Sequence, residues 1–535
     1  MKVDSMKHTI FISGLLSNYV VEQLARNKEF EVIYKPDCKY SYLIKNMSNV
    51  SVLITRSETK VDQALMDNSP QLKVVARAAV GVSNIDIDYA TRRGILVINT
   101  PGKNTNSAAE HTMALLLGMF RNIPQAHESL KAGKWNRHAF MGKELLDKRI
   151  GIVGLGNVGH RVAKFAKGFD MEVYGYDPYV SPELFVRYGI KPFSSLQEMA
   201  SQVDILSLHV PLNKQTKGMI DREVLSSMSP QSYILNVARG GVVCEESLLE
   251  ALNSNLLGGA AIDTWYQEPE PNPDLINHPK VWCSPHIGAS TREAQEKIGK
   301  SIVEQVKRAL SGNIVSFPVN LPKVGVLDSP LVKPYSVLSE KIGSLTAQLL
   351  DFNPSRMEIL YRGDLAHLDQ SLIKLGFMKG YVSKISSEYV SYVNAEEHFS
   401  RLGIGIEESH DQDFQSYKSA LKVRIFDSSG KSLSLGGIVF DHKHIKISLV
   451  NDYYFEVKPN GTMIIIENED RLGVIGIIGN FLAKHHVNIE SFDLSRKKAG
   501  EKAMAVIKVD SSIEPAQLKE LINHPDICSA RIVHL

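Results

Sequence analysis

From residue 8 to about residue 100, short apolar runs alternate with stretches whose apolar residues recur at helical spacing. Thr9–Ser13, Glu31–Tyr34, Ser51–Thr55, Val74–Ala79 and Leu96–Thr100 predict five strands. Alternation of this kind predicts a parallel sheet covered by helices. A helical pattern beginning at Asn104 then leads into a second unit of the same type. Its strands are predicted at Arg149–Val153, Glu172–Tyr176, Asp204–His209, Tyr233–Val237, Ala260–Asp263 and Val281–Ser284. A charged helix follows from Thr291 to Leu310, with Gly312 as its stop.

The pattern then changes. Pro318, Pro322, Pro330 and Pro334 mark a linker, and residues 335–458 mix two or three helices with strands such as Ala420–Ile425 and Ile438–Phe440. Residues 461–535 read strand, helix, strand, strand, helix, strand, with elements at Met463–Glu467, Val474–His485, Ile489–Ser495, Ala503–Val509, Pro515–Asn523 and Ala530–His534. The expected fold is α/β: two Rossmann-like parallel-sheet domains, an α+β domain, and a C-terminal βαββαβ domain. The expected boundaries are 6–102 with 288–318, 103–287, 319–458 and 459–535.

Composition narrows the function classes. Of 535 residues, 43% are hydrophobic and 22% charged, and 61 basic against 59 acidic residues leave a net charge of +2. No global field favours nucleic acid or an anionic membrane, so anion recognition must be local. Cys38, Cys244, Cys283 and Cys528 are far apart and lack metal-ligand spacing, which fits a reducing compartment. No apolar run approaches a membrane span, and the first apolar run reads as a strand rather than a signal segment. A cytoplasmic protein without a bound metal is expected.

The chemistry concentrates in the second unit. Gly154-Leu155-Gly156-Asn157-Val158-Gly159 follows an apolar strand and opens a helix, the context of a dinucleotide turn. Gly154 permits the tight turn, Gly156 lets the pyrophosphate approach the backbone, and Gly159 lets helix and strand pack. Asp177, ending the next strand, suits ribose hydroxyls and repels a 2′-phosphate, which favours NAD over NADP. Downstream stand Arg239 before Gly240-Gly241, Glu268 before Pro269, and His286 after Pro285, each at a strand end. Arg239 offers a two-pronged fork for a carboxylate, His286 can take a hydroxyl proton, and Glu268 can orient the ring. Together they describe hydride transfer at a hydroxy acid.

These motifs, with Arg56–Val61, Asn99-Thr100-Pro101, Asn104, Ser107, His209–Leu212 and Asp263, resemble the D-isomer-specific 2-hydroxyacid dehydrogenases over nearly the whole chain. The resemblance implies that Asn157, Val158, Val210, Pro211, Val237, Ala238, Arg239 and His286 line NAD, and that Asp263 orients the nicotinamide amide. It implies that the backbone at Val80-Gly81, with Arg56, Lys60, Arg77, Asn104 and Arg137, meets the substrate. The implied substrate is 3-phospho-D-glycerate, oxidised in the first step of serine synthesis by a homo-oligomer. Another D-2-hydroxy acid, such as glycerate or 2-hydroxyglutarate, is an alternative, as is a nucleotide-sensing binding protein without catalysis. Cys244 stands where the family usually has Asp, and Ser83 where Asp or Asn is common.

Residues 320–458, including Tyr392-Val393-Asn394-Ala395, resemble the intervening domain of the longest members. The basic stretch His442–Lys446 reads as a solvated strand, with phosphate binding as the alternative. The tail resembles an ACT regulatory domain, which implies L-serine as effector, read by Asn468, Asp470 and Asn488 across paired domains. Leu472 stands where proline is usual, which leaves that loop less rigid.

Overall fold

The computed structural model describes residues 7–313, 315–321, 330–412 and 418–535. Residue 6, the expected start of the first domain, and Pro322 of the expected linker lie outside these. The chain forms two compact units: residues up to Leu15 with Gln23–Asn99 and Val303–Leu535, and Leu16–Glu22 with Thr100–Ile302.

The first unit opens with β1 (His8–Ile12), β2 (Phe30–Tyr34), β3 (Val50–Thr55), β4 (Val74–Arg77) and β5 (Leu96–Ile98). They form a wholly parallel sheet in the order β2-β1-β3-β4-β5. Every residue of β3 is buried, as a central strand covered on both faces requires.

The second unit holds β6 (Arg149–Val153), β7 (Glu172–Tyr176), β8 (Lys191–Pro192), β9 (Ile205–Leu208), β10 (Tyr233–Asn236), β11 (Gly259–Ile262) and β12 (Val281–Cys283). All neighbours are parallel, in the order β12-β11-β10-β9-β6-β7-β8. The order reverses between β6 and β9, and that switch opens a crevice at the carboxyl ends of the strands. Separate apolar clusters cover the two faces, one with Leu206, Ile234 and Leu248, the other with Ile152, Leu235 and Val162.

The remainder of the first unit contains β13 (Arg356–Gly363), β14 (Gly405–Asp411), β15 (Ser419–Phe426), β16 (Ser432–Phe440), β17 (His444–Val450) and β18 (Tyr453–Val457). Their order is β14-β13-β15-β16-β17-β18, with β13 and β14 parallel and the other neighbours antiparallel. A pair of helices, Val332–Leu349 and Ser371–Ile385, packs on one face. The last strands, β19 (Thr462–Glu469), β20 (Ile489–Arg496), β21 (Lys502–Val509) and β22 (Ile527–His534), form an antiparallel sheet ordered β20-β21-β19-β22. Met463, Ile465, Met504, Val506 and Val533 of this sheet enter the same core as Tyr335 and Leu338, so the two C-terminal sheets are built on shared apolar contact.

One difference from the expected elements has a plain cause. β16 begins six residues before the expected Ile438 because its first half is serine, leucine and glycine; pairing with β15 and β17 recruits it, with a bulge at Gly436/Gly437. The division between the two units falls at 302/303, inside the helix Arg292–Leu310. That helix is continuous in pattern, so its sequence carries no mark of the division.

Candidate active site

β6 ends at Val153, and the glycine turn leads directly into the helix Gly159–Gly168. Gly154 has φ +89°, and a Cβ there would lie 2.8 Å from the His209 carbonyl oxygen. A Cβ on Gly159 would overlap the Gly154 carbonyl oxygen, so the helix meets the strand only because this position lacks a side chain. At Gly156 an added Cβ meets nothing within 4 Å. The open position is therefore the one expected to face a pyrophosphate, and the two crowded ones shape the turn. Asp177 accepts the Leu155 N–H at 2.8 Å and the Tyr179 N–H at 3.0 Å through different oxygens. Each oxygen keeps acceptor capacity for a ribose hydroxyl. Asn157 and Val158 complete the turn, Val210 and Pro211 follow β9, and the buried Val237 and Ala238 follow β10. These residues fit a dinucleotide.

Arg239, Glu268 and His286 also lie beyond the carboxyl ends of this sheet. His286 Nδ1 is 2.8 Å from Glu268 Oε2 and 2.9 Å from Oε1, so Nε2 is the ring nitrogen left for a substrate. The Trp265 N–H donates to Glu268 Oε1 at 3.0 Å. Burial works to raise the Glu268 carboxyl, but hydrogen bonds from His286 and the Trp265 amide outweigh it and hold it below the usual carboxylate range. Arg239 rides on a loop tied by Asn236, whose Nδ2 donates to the Arg239 carbonyl at 3.0 Å and whose Oδ1 accepts from Ala238 at 3.2 Å. Its neighbour Gly240 lies against Trp265, whose carbonyl a Cβ would overlap, and this brings the arginine loop against the glutamate loop. Burial lowers the Arg239 pKa, and the nearby Glu268 charge opposes that shift. Its guanidinium donates to the Ala238 carbonyl at 2.6 Å and enters no ion pair among the described residues. A guanidinium of this kind has the donor fork that a carboxylate accepts.

Beneath His286 lies a network that motif reading does not reveal. The Asp263 carboxylate, 1% exposed, accepts from Ser284 Oγ at 2.6 Å and from the backbone of Ile287 at 2.8 Å and Gly288 at 2.9 Å. His111 Nε2 lies 3.2 Å away. Burial tends to raise this carboxyl; the donors from His111, Ser284 and the two amides prevail and lower it. Asp263, expected to serve the nicotinamide amide, is thus engaged with the His286 loop. His111, Ser284 and Trp265 are the residues that sequence reasoning missed.

In the first unit, Arg56, Arg77 and Val80-Gly81 gather at the ends of the adjacent β3 and β4. Arg77 is buried, and its Nε donates to the Gly81 carbonyl at 3.0 Å. Arg56 donates to the Leu15 carbonyl at 3.1 Å, and Asn99 Nδ2 to that of Val80 at 2.7 Å. Lys60 is 75% exposed and pairs with Asp62 at 3.0 Å. In the second unit, Asn104 precedes the helix Thr105–Phe120 without a side-chain cap, and Arg137 is exposed in the short helix Arg137–Phe140.

Within the last sheet, Asn468 and Asp470 stand at one end and Asn488 at the other, because Asn468 pairs with Ala503 while Ile489 pairs with Val509. The separation is roughly 20 Å along the strands. Asn468 Oδ1 is buried with no hydrogen-bond partner among the described residues. Asp470 accepts from Arg496 at 3.1 Å and from the Gly500 N–H at 3.0 Å, and Asn488 donates to Asp510 at 2.7 Å. In the basic stretch, Lys446 pairs with Glu456 at 2.8 Å. Cys244 occupies the N-cap of the helix Glu245–Asn253 without capping it, Leu472 is fully exposed, and all four cysteines are free. No metal-ligand cluster and no helix long and apolar enough to cross a membrane occur among the described residues.

Residues 113–288 match the family model for the D-isomer specific 2-hydroxyacid dehydrogenase, NAD binding domain. The fold accordingly falls in the class of NAD-dependent 2-hydroxyacid dehydrogenases. Residues 331–451 match the D-3-phosphoglycerate dehydrogenase intervening domain. The chain is 36% identical over 493 residues to a D-3-phosphoglycerate dehydrogenase of Methanocaldococcus jannaschii, covering 92% of this chain and 94% of that one. It is 34% identical over 526 residues to that of Bacillus subtilis, covering 98% and 99%. It therefore belongs to the D-3-phosphoglycerate dehydrogenases. Among solved structures, D-lactate dehydrogenase from Aquifex aeolicus, complexed with NAD and lactic acid, matches with TM-score 0.52 and 27% identity over 58% of this chain and 99% of that one.

Proposed function

We propose that the chain oxidises 3-phospho-D-glycerate to 3-phosphohydroxypyruvate, opening L-serine synthesis. The observation that carries this reading is the engagement of His286 Nδ1 by Glu268 at 2.8 Å, which leaves Nε2 to act. Arg239 binds the C1 carboxylate and draws charge toward the C2 oxygen. His286 Nε2 takes the C2 hydroxyl proton, and Glu268 holds the ring in place and balances the charge it gains. Bound NAD supplies the hydride acceptor at C2. Arg56, Lys60 and Arg77 supply positive charge beyond β3 and β4 for a phosphorylated substrate, and Arg77 also holds the Val80-Gly81 loop.

L-Serine as effector is supported by Asn468 Oδ1, a buried acceptor suited to an ammonium group. Asn468 and Asn488 lie at opposite ends of one sheet, which supports an effector site drawn from two copies in a homo-oligomer. Four free cysteines accord with a cytoplasmic enzyme.

The test is NADH formation from 3-phosphoglycerate and from two unphosphorylated 2-hydroxy acids, each with and without L-serine. Turnover should favour the phosphorylated acid and fall with serine. Equal rates for all three acids would assign another D-2-hydroxy acid, and indifference to serine would remove the effector. His286→Ala should lose most turnover while still binding NADH.

A further inference from the structure

One face of a single helix grips both ends of the segment that carries His286. Ser107 and His111 stand four residues apart on the helix Thr105–Phe120 and so share a face. Ahead of His286 in the chain, His111 Nε2 lies 2.9 Å from Ser284 Oγ and 3.2 Å from Asp263 Oδ1. Beyond it, Ser107 Oγ lies 2.7 Å from Thr291 Oγ1. Between these, a Cβ on Gly288 would sit 3.1 Å from Asp263 Oδ2 and 3.9 Å from the Cα of Ala108. A carboxylate only accepts, so His111 Nε2 faces Asp263 as an N–H donor.

The turn needs such an anchor. His286 has φ +54°, in the left-handed region that a side chain disfavours, and such residues persist where surrounding structure holds them. Asp263 holds this turn by accepting the next two backbone N–H groups, and His111 and Ser284 hold Asp263. The same helix begins beside Asn104, one of the substrate candidates.

We propose that His111 is a positioning residue for proton transfer: with Ser107 it makes the helix Thr105–Phe120 the platform on which the 284–291 segment, and hence His286, is set. The inference rests on reading His286 as the group that takes the hydroxyl proton. The platform fixes the direction of Nε2 without touching a reacting atom.

The test uses the full chain with His111→Leu, which removes the donor, and His111→Gln, whose amide nitrogen reaches the place of Nε2. Turnover, KM for 3-phosphoglycerate, NADH Kd and thermal midpoint are measured for each. His111→Leu should lower kcat on the order of tenfold to a hundredfold, the scale of a small misplacement of a reacting group, with NADH Kd within about twofold. His111→Gln should recover most of that loss. Parent-like kcat in His111→Leu overturns the proposal, as does equal loss in both variants when stability and NADH Kd are unchanged. Should His111→Leu fail to fold, Thr291→Val removes the other grip without stranding a charge; it should lower kcat several-fold, and a parent-like value overturns the proposal. His286→Ala is run in parallel. Near-parent turnover there overturns the assignment of His286 itself, whereas an inactive His286→Ala beside a parent-like His111→Leu overturns the platform alone.

Discussion

Replacing Gly156 by alanine separates cofactor recognition from folding. An added Cβ there meets nothing within 4 Å, and the backbone is not in the left-handed region. The folded chain should tolerate it, and reduced freedom of the unfolded chain should stabilise it by about 0.4–1 kcal/mol. The methyl group occupies the space before the first turn of the helix Gly159–Gly168, where a pyrophosphate approaches the backbone N–H groups. Losing one hydrogen bond to a charged phosphate costs about 1.5–3 kcal/mol. NADH should then bind roughly 10- to 150-fold more weakly. Gly159→Ala is the contrast. Its Cβ overlaps the Gly154 carbonyl oxygen, the helix must shift, and stability should fall by about 1–3 kcal/mol along with NADH affinity. Fluorescence titration with NADH and urea unfolding give both quantities for each variant. A Gly156→Ala enzyme with the parent's Kd refutes phosphate recognition at this turn. One that loses stability and affinity together refutes the open position.

Asp177→Ser removes the charge that opposes a 2′-phosphate. The preference for NADH over NADPH in kcat/KM should fall by a factor of about 5, the Coulomb energy of about 1 kcal/mol for two exposed charges near 4 Å; an unchanged ratio would place discrimination elsewhere. Cys244→Asp should restore an N-cap to the helix Glu245–Asn253, whose cap residue is already extended, and raise the urea midpoint by an amount corresponding to about 1 kcal/mol. Asp263→Asn should destabilise by about 3 kcal/mol at neutral pH, since an amide cannot accept at both positions that now receive donors. The sign with pH follows from the lowered Asp263 carboxyl, whose contribution is complete above the unfolded carboxylate range and is lost as pH falls through the folded value. Parent and variant stabilities should therefore converge below about pH 4, and a gap that widens on acidification would contradict this sign.

Much of the fold was legible because its signals are local. The strand Glu172–Tyr176 has the bounds its sequence predicts, since an apolar run ends abruptly in Asp177-Pro178. The glycine turn was readable for a related reason: only residues without a Cβ satisfy positions 154 and 159, and the backbone's demand is written into the residue type. The parallel β13–β14 pair was not readable. Its partners lie far apart in the chain, and β14, Gly-Ile-Glu-Glu-Ser-His-Asp, is too polar to announce a strand. Among the described residues it is an edge, hydrogen-bonded on one side only, and edges tolerate charge.

The same division runs through the site. Arg239, Glu268 and His286 stand beside Gly240, Pro269 and Pro285, residues that mark turns at strand ends, so motif and chemistry coincide. His111 sits inside a helix among Ala109, Met113 and Leu116, where it reads as a polar interruption of an apolar face. Its meaning depends on partners more than 150 positions later. A hint was nevertheless present. Ser107 and Thr112 are buried on the same helix, and Thr112 satisfies itself on the Ala108 carbonyl at 2.8 Å, as hydroxyls in helices do. An imidazole reaches past the backbone of its own helix, so a histidine on a buried helical face needs a partner from another element. Pairing each such residue with candidate acceptors at nearby strand ends would have proposed Asp263, the one carboxylate that ends β11. The hydrogen-bond requirement of a buried polar group carries information that periodicity alone discards.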